Sequence, residues 1–310
     1  MKLVFCGTPQ FAVPTLNALV RAGHTLELVV TQPDRPSGRG RNVSLSPIKQ
    51  TANELGLPIS QPETLKANLE FKQRIESLRP DAIVVVAYGR IIPRWMLAVP
   101  RFGNLNVHAS LLPKYRGAAP IQWAIANGEK QTGITIIRLD EGLDTGPILL
   151  HRELAIAPED TALTLAPRLA ELGAALIMEA LPGIEAGTLE PVPQDHSRSS
   201  LAPLLKKEDG RIDFDRTAED VHNRLRGFQP WPGTYTRFRG KHLEITKAQA
   251  VAGTPSGRAG TLTAEGERLF VNCGAETALE IFELQPEGKR QMSAREFIHG
   301  YHPQSGESLG

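Results

Sequence analysis

Chemically capable side chains are concentrated in two stretches of this 310-residue sequence. The first runs Asn104-Leu105-Asn106-Val107-His108-Ala109-Ser110-Leu111-Leu112-Pro113-Lys114-Tyr115-Arg116-Gly117. With residues 105–108 as a strand, Asn106 and His108 point to the same side and bring an amide and an imidazole together at its end. An amide N–H stabilises charge developing on a carbonyl oxygen, and an imidazole takes or gives a proton near neutral pH. That pair suits acyl transfer to a weakly basic nucleophile. The same spacing also fits an asparagine that caps the strand and a histidine hydrogen-bonded within the core, since neither residue type is diagnostic alone. The second stretch, Leu139-Asp140-Glu141-Gly142-Leu143-Asp144-Thr145-Gly146-Pro147, holds three carboxylates in a glycine-containing loop. Such a carboxylate can orient a histidine and fix its protonation, as the acidic member of a triad does. Metal binding and a solvated acidic turn are the rival uses. No second histidine stands at ligand spacing beside His108, so no metal is expected.

Other chemistries are excluded more firmly. Gly7-Thr8-Pro9 follows a first apolar run where a phosphate loop would sit, but Pro9 and Ala12 occupy the positions at which G-x-G-x-x-G needs glycine. There is no G-x-x-x-x-G-K-[ST] either. Cys6 and Cys273 lie far apart and offer neither a disulfide framework nor a zinc spacing. No long apolar segment marks a leader or a membrane span, so a cytoplasmic protein without membrane contact is expected.

Elements that can position the two stretches are legible. Leu3–Cys6, a helical spacing from Phe11 to Val20, and Leu26–Val30 read as a βαβ unit. Ser46-Pro47 opens a helix to about Gly56, and another spans about Lys66 to Leu78. Ala82–Ala87, apolar on both faces, reads as a central parallel strand. Strands at 105–108 and 134–137, a short helix at 120–126 between them, and a helix from about Leu163 to Ala180 complete an open, mostly parallel, Rossmann-like α/β sheet. Residues 186–210 are polar and contain several prolines, as a linker does. Beyond them a short helix capped at Thr217, then five short strands around 234–238, 242–246, 261–263, 269–272 and 278–284, predict a small OB-like β-barrel. Ser293 and Glu296 form a capping box for a last helix, and the tail from Gln304 is expected to fray.

Lys plus Arg total 35 against 34 for Asp plus Glu, a net charge of +1 that argues against bulk attraction to a polyanion. Counted locally, residues 31–50 carry +3 and residues 222–247 carry +5, the latter alongside Phe228, Trp231, Tyr235 and Phe238. Basic residues interleaved with aromatics on a barrel fit contact with a nucleic-acid backbone, and a solvated charged face around an ordinary aromatic core fits equally.

Asn106–Pro113 with Tyr115-Arg116-Gly117, and Asp144-Thr145-Gly146 downstream, resemble the signature of the 10-formyltetrahydrofolate-dependent formyltransferases. Gly7-Thr8-Pro9-x-Phe11-Ala12, Asp209-Gly210-x-Ile212-Asp213-Phe214 and Arg226–Gly233 are similar to the branch of that family acting on initiator methionyl-tRNA. The resemblance implies a formyltransferase catalytic domain over 1–185, a linker over 186–210 and an OB-like tRNA-binding domain over 211–310. It implies formyl transfer from the co-substrate 10-formyltetrahydrofolate to the methionine α-amino group, with Asn106, His108 and Asp144 as catalytic residues. Ser110, Leu111, Leu112 and Pro113, with Tyr88, Gly89 and Ile91, would form the folate site, where backbone groups pair with the pterin. Arg39, Arg41, Lys206, Lys207, Arg237 and Arg239 are the expected tRNA contacts, and a monomer is expected. Two alternatives stand beside this: a folate-dependent formyltransferase acting on a small amine such as an amino sugar nucleotide, and a non-catalytic RNA-binding protein.

Overall fold

Leu3-Val4-Phe5-Cys6 has no polar side chain to hold it at a surface, and in the computed structural model it lies at the heart of a seven-stranded sheet with all four residues fully buried. The structure describes every residue except 38–41, 252–256 and 305. The chain divides into two compact units: Met1–Pro120, Gln131–Ala155 and Ala166–Pro203 make the first, and Ile121–Lys130, Ile156–Leu165 and Leu204–Gly310 the second.

In the first unit β1 (Lys2–Gly7) leads to α1 (Val13–Arg21) and to β2 (Thr25–Val30), parallel to β1. Then come the hairpin strands β3 (Arg35–Ser37) and β4 (Asn42–Ser44), α2 (Pro47–Glu54) and β5 (Ile59–Ser60). The Ser46 hydroxyl accepts from Lys49 N at 3.1 Å and starts α2, as its sequence foretells. α3 (Leu69–Leu78) begins later than expected because Asn68 caps it, its side chain accepting from Phe71 N at 2.9 Å. β6 (Ala82–Val86), α4 (Arg94–Leu97) and β7 (Asn104–His108) follow, then β8 (Gln131–Arg138), β9 (Ile148–Ala155) and most of α6 (Ala162–Ala186); α5 (Pro120–Ala126), between β7 and β8 in the chain, and the first residues of α6 belong to the second unit.

The sheet order is β5-β2-β1-β6-β7-β8-β9, with the first five parallel and β8 and β9 antiparallel to their neighbours. Because β2 and β6 flank β1 on opposite sides, the connections diverge there, and the carboxyl ends of β1 and β6 frame the crevice where such sheets bind ligands. β7 ends beside them. β9 escaped the sequence reading: it is an edge strand whose apolar start, Ile148-Leu149-Leu150, gives way to the exposed polar residues His151, Arg152 and Glu153.

The second unit adds α7 (Ala218–Gly227), β10 (Tyr235–Phe238), β11 (Lys241–Val251), β12 (Leu262–Glu265), β13 (Arg268–Cys273), β14 (Thr277–Pro286), β15 (Met292–Ser293) and α8 (Ala294–Tyr301). Its antiparallel sheet has the order β10-β11-β14-β13-β12 around a core containing Phe214, Leu225, Phe238, Ile245, Ile281 and Phe297. The C-terminal tail is not frayed. Ser308 bridges Thr261, Leu309 bridges Phe238, and Leu309 N donates to Gly260 O at 2.8 Å. Leu309 is only 4% exposed, and burying that side chain is what recruits the tail to tie the two ends of the sheet path together.

Candidate active site

β7 delivers Asn106 half-buried and His108 buried on one face, as strand alternation requires. The loop before β9 delivers Asp144, whose backbone takes the left-handed φ of 51°. Asp144 Oδ1 accepts from Asn106 Nδ2 at 3.3 Å, and Oδ2 accepts from Gly117 N at 2.9 Å. His108 Nδ1 lies 3.7 Å from Oδ2, within ionic reach but beyond a hydrogen bond. The three residues singled out from sequence therefore converge, with Asp144 at the centre.

His108 is held at its other nitrogen: Nε2 is 2.9 Å from Tyr115 O, and a carbonyl can only accept. Nε2 thus carries the proton, which leaves Nδ1, facing the carboxylate, as the nitrogen free to exchange one. The loop that supplies Tyr115 O and Gly117 N is strapped down by residues 200–202. Arg116 N donates to Ser200 O at 2.9 Å, Tyr115 N to Ser200 Oγ at 2.9 Å, and Ala202 N to Arg116 O at 2.7 Å. Gly117, at φ 119°, passes so near this strap that a Cβ there would stand 2.8 Å from Ala202 O. Deeper in, Gln194 and Arg116 are buried against the Asp144 turn. The main-chain groups escaped the sequence reading because they leave no residue signature, and Gln194 because it lies in a stretch read as linker; Arg116 figured there only within the Tyr115-Arg116-Gly117 motif.

The proposed folate residues fall into two groups. Between Ala87 (φ 46°) and Gly89 (φ 76°), both exposed, the Tyr88 side chain turns into the core and its carbonyl accepts from Thr8 Oγ1 (3.1 Å) and Gln32 Nε2 (2.9 Å). A ligand at the end of β6 meets peptide edges there rather than the phenol, and burial pushes that phenol's pKa upward. Ile91 is largely exposed. Ser110 and Leu112 are buried, with Ser110 Oγ donating to Lys114 O at 2.7 Å, while Thr135 Oγ1 accepts from Leu112 N and donates to Ser110 O. Leu111 and Pro113 are half-exposed. Residues 110–113 thus form a rim beside β7, braced by Thr135.

Among the expected tRNA contacts, Arg39 and Arg41 lie outside the described residues. Lys206, Lys207 and Arg237 are exposed. Arg239 is exposed but committed: it pairs with both Glu307 oxygens at 2.6 and 3.0 Å and lies over the Phe238 ring. The second unit also holds a cavity of about 890 Å³ lined by His222, Arg226, Gln229, Thr246 and Phe282 among others. None of the residues expected to act in catalysis, folate binding or tRNA binding lines it, whereas Arg226, Gln229, Pro230 and Gly233 of the Arg226–Gly233 motif do. The Arg226 guanidinium is spent on the Asp160 carbonyl and Asn223 Oδ1, and burial, with Arg226 next, pulls the His222 pKa down against Glu219. Among the described residues no three His, Cys, Asp or Glu side chains group as a metal site.

Comparison with known proteins places the chain in a family. A family described as Formyl transferase matches residues 1–181, and Formyl transferase, C-terminal domain, matches 204–302. The methionyl-tRNA formyltransferase of Koribacter versatilis (strain Ellin345) is 59% identical over 310 residues, covering 100% of this chain and 99% of that protein. That of Acidobacterium capsulatum is 57% identical over 300 residues, 97% of this chain and 96% of its own. Among solved structures, a sugar 3N-formyl transferase crystallised with dTDP and 5-N-formyl-THF matches with a TM-score of 0.68 at 18% identity, covering 94% of this chain and 99% of that one. An N-formyltransferase from Helicobacter canadensis gives 0.67 at 20% identity, covering 92% and 99%. At those identities the two share the fold.

Proposed function

The chain belongs to the formyl transferase family, and we propose that it transfers the formyl group of 10-formyltetrahydrofolate to the α-amino group of methionine on initiator tRNA. The observation that carries the reading is end-to-end identity of 59% with a methionyl-tRNA formyltransferase, in a chain where Asn106, His108 and Asp144 meet in space. The folate, held along residues 87–91 and 110–113, supplies an activated formyl group. The chain's residues do the rest. Asn106 uses one amide hydrogen on Asp144 and keeps the second for the oxygen on which charge develops as the neutral amine attacks. His108, its Nε2 fixed by Tyr115 O, takes the amine's proton at Nδ1 and relays it toward the departing nitrogen. Asp144 stabilises the cationic ring from 3.7 Å.

We assign the chemistry to the N-terminal part and the tRNA body to exposed Lys206, Lys207 and Arg237, with the segment carrying Arg39 and Arg41 at the acceptor end. Arg239 serves there only if tRNA phosphate displaces Glu307. The enzyme acts as a monomer in the cytoplasm. The deciding experiment supplies 10-formyltetrahydrofolate labelled in the formyl group with either methionyl-initiator tRNA or an amino sugar nucleotide. Label on the tRNA, and none on the sugar, is expected. Label on the sugar alone transfers the reading to small amines, and label on neither removes it.

A further inference from the structure

We propose that Gln194 is a positioning residue for formyl transfer: its amide clamps the turn that carries Asp144 and so sets the carboxylate against Asn106 and His108. The inference rests on the function proposed above. Gln194 is only 6% exposed, and every polar atom of its side chain is used. Nε2 has two hydrogens and two acceptors in reach, Asp144 O at 2.8 Å and Gly146 O at 2.7 Å. Oε1 accepts from Arg116 Nε at 3.2 Å and Nη2 at 2.6 Å, a two-point grip that fixes the plane of the amide. Arg116 is itself buried, and its Nη2 reaches on to His196 Nδ1 at 3.1 Å.

The turn needs such a clamp. Asp144 sits at φ 51°, a conformation that strains a residue with a Cβ and persists only where its surroundings impose it. Residues 141–143 on its outer side are exposed, and there Asp140 Oδ1 braces the turn, accepting from Gly142 N at 3.0 Å and Thr145 Oγ1 at 2.7 Å, but neither bond holds the carbonyls of 144 and 146. Gln194 grips the carbonyls of 144 and 146 from the buried side, so the amide plane dictates where the Asp144 side chain emerges. Arg116 has a second link to the same carboxylate through the chain, since Gly117 N, one residue on, donates to Asp144 Oδ2. One buried Arg–Gln pair thus registers both the turn and the loop that meet at the carboxylate.

Gln194→Glu tests this, because it keeps the volume and the bond to Arg116 while removing both donors to the turn. Expected is a fall in kcat of about tenfold or more, with KM for both substrates within about twofold; the melting temperature falls as well, because Asp144 O and Gly146 O lose their donors and face a carboxylate oxygen. In an Asp144→Asn background the same change should cost less than about twofold, since both act through one carboxylate. Gln194→Ala, which also orphans Arg116, should lose melting temperature as well as kcat. A Gln194→Glu enzyme with wild-type kcat, a loss carried by KM alone, or full multiplication of the two losses overturns the assignment. A wild-type chain that formylates nothing overturns the functional reading, and this inference with it; an active wild type beside an equally active variant overturns this inference alone.

Discussion

Asn106 can serve the reaction because a primary amide has two hydrogens and Asp144 occupies one. On the proposed mechanism, removing it leaves the developing oxyanion without that donor while residues 110–113 stay in place. Asn106→Ala should therefore lower kcat by about 10²–10³ with little change in KM, read by single-turnover formyl transfer; turnover near that of the wild type sinks the role. At this scale the sequence was informative where side chains act and blank where peptides act. That Asn106 and His108 share a face followed from a spacing of two on a strand, whereas Asp144 was one of three carboxylates in its loop and only the resemblance singled it out. The Tyr115 carbonyl that fixes the histidine tautomer and the Gly117 N–H that anchors the carboxylate belong to residues whose types say nothing of those duties. Gln194 is the intermediate case. Its type permitted a buried bridge, but only the path of the chain brings residue 194 back to 144.

Elements were legible in proportion to their burial. β6 and β1, apolar on both faces, were found with little error, whereas the exposed edge strand β9 was missed. Helix α6 runs to Ala186 through Pro167 and Pro182, past the end that propensity predicts near Ala180. Each proline costs about 3 kcal/mol inside a helix, and the burial of Leu165, Leu169, Leu176, Ile177, Leu181 and Ile184 outweighs that local preference. The tail was misread for the opposite reason: a polar, glycine-containing end hides one leucine that the barrel core takes in. Leu309→Ala should lower stability by about 2–5 kcal/mol, as for other buried leucines, seen as an earlier urea midpoint. A midpoint equal to that of the wild type would mean that the tail adds nothing to the closure of the sheet.

Over the whole molecule, the net charge of +1 conceals how the fold spends its cations. In the basic segment 222–247, Arg226 is buried on backbone carbonyls, Arg224 lies over the Trp123 and Phe228 rings, and Arg239 is paired, which leaves Arg237, Lys241 and Lys247 exposed. Counting charges along the sequence therefore overstates the patch. The two thiols show the same dependence on the folded state. Burial pushes Cys273 up to about 12 and raises Cys6 as well, whereas an exposed thiol titrates near about 8.5. Between those values the unfolded chain releases protons that the native chain keeps. The thiols' contribution to stability is complete below about pH 8.5 and is lost as pH rises toward 12. Iodoacetamide at pH 8 should leave both cysteines unmodified in the native protein and alkylate both in urea, and the alkaline fall in melting temperature should be shallower in Cys273→Ala. Native-state alkylation of Cys273 would contradict its burial.

The strap from Gln194 to Ala202 also limits how the protein can be taken apart. A fragment ending at residue 181, where the match to the N-terminal family stops, would keep Asn106, His108 and Asp144 yet lose the amide that grips residues 144 and 146 and the peptides that hold 115–119. Excised there, the proposed reaction centre would be present in composition and absent in geometry. A fragment that keeps this geometry has to extend at least through Pro203, the last residue of the first compact unit.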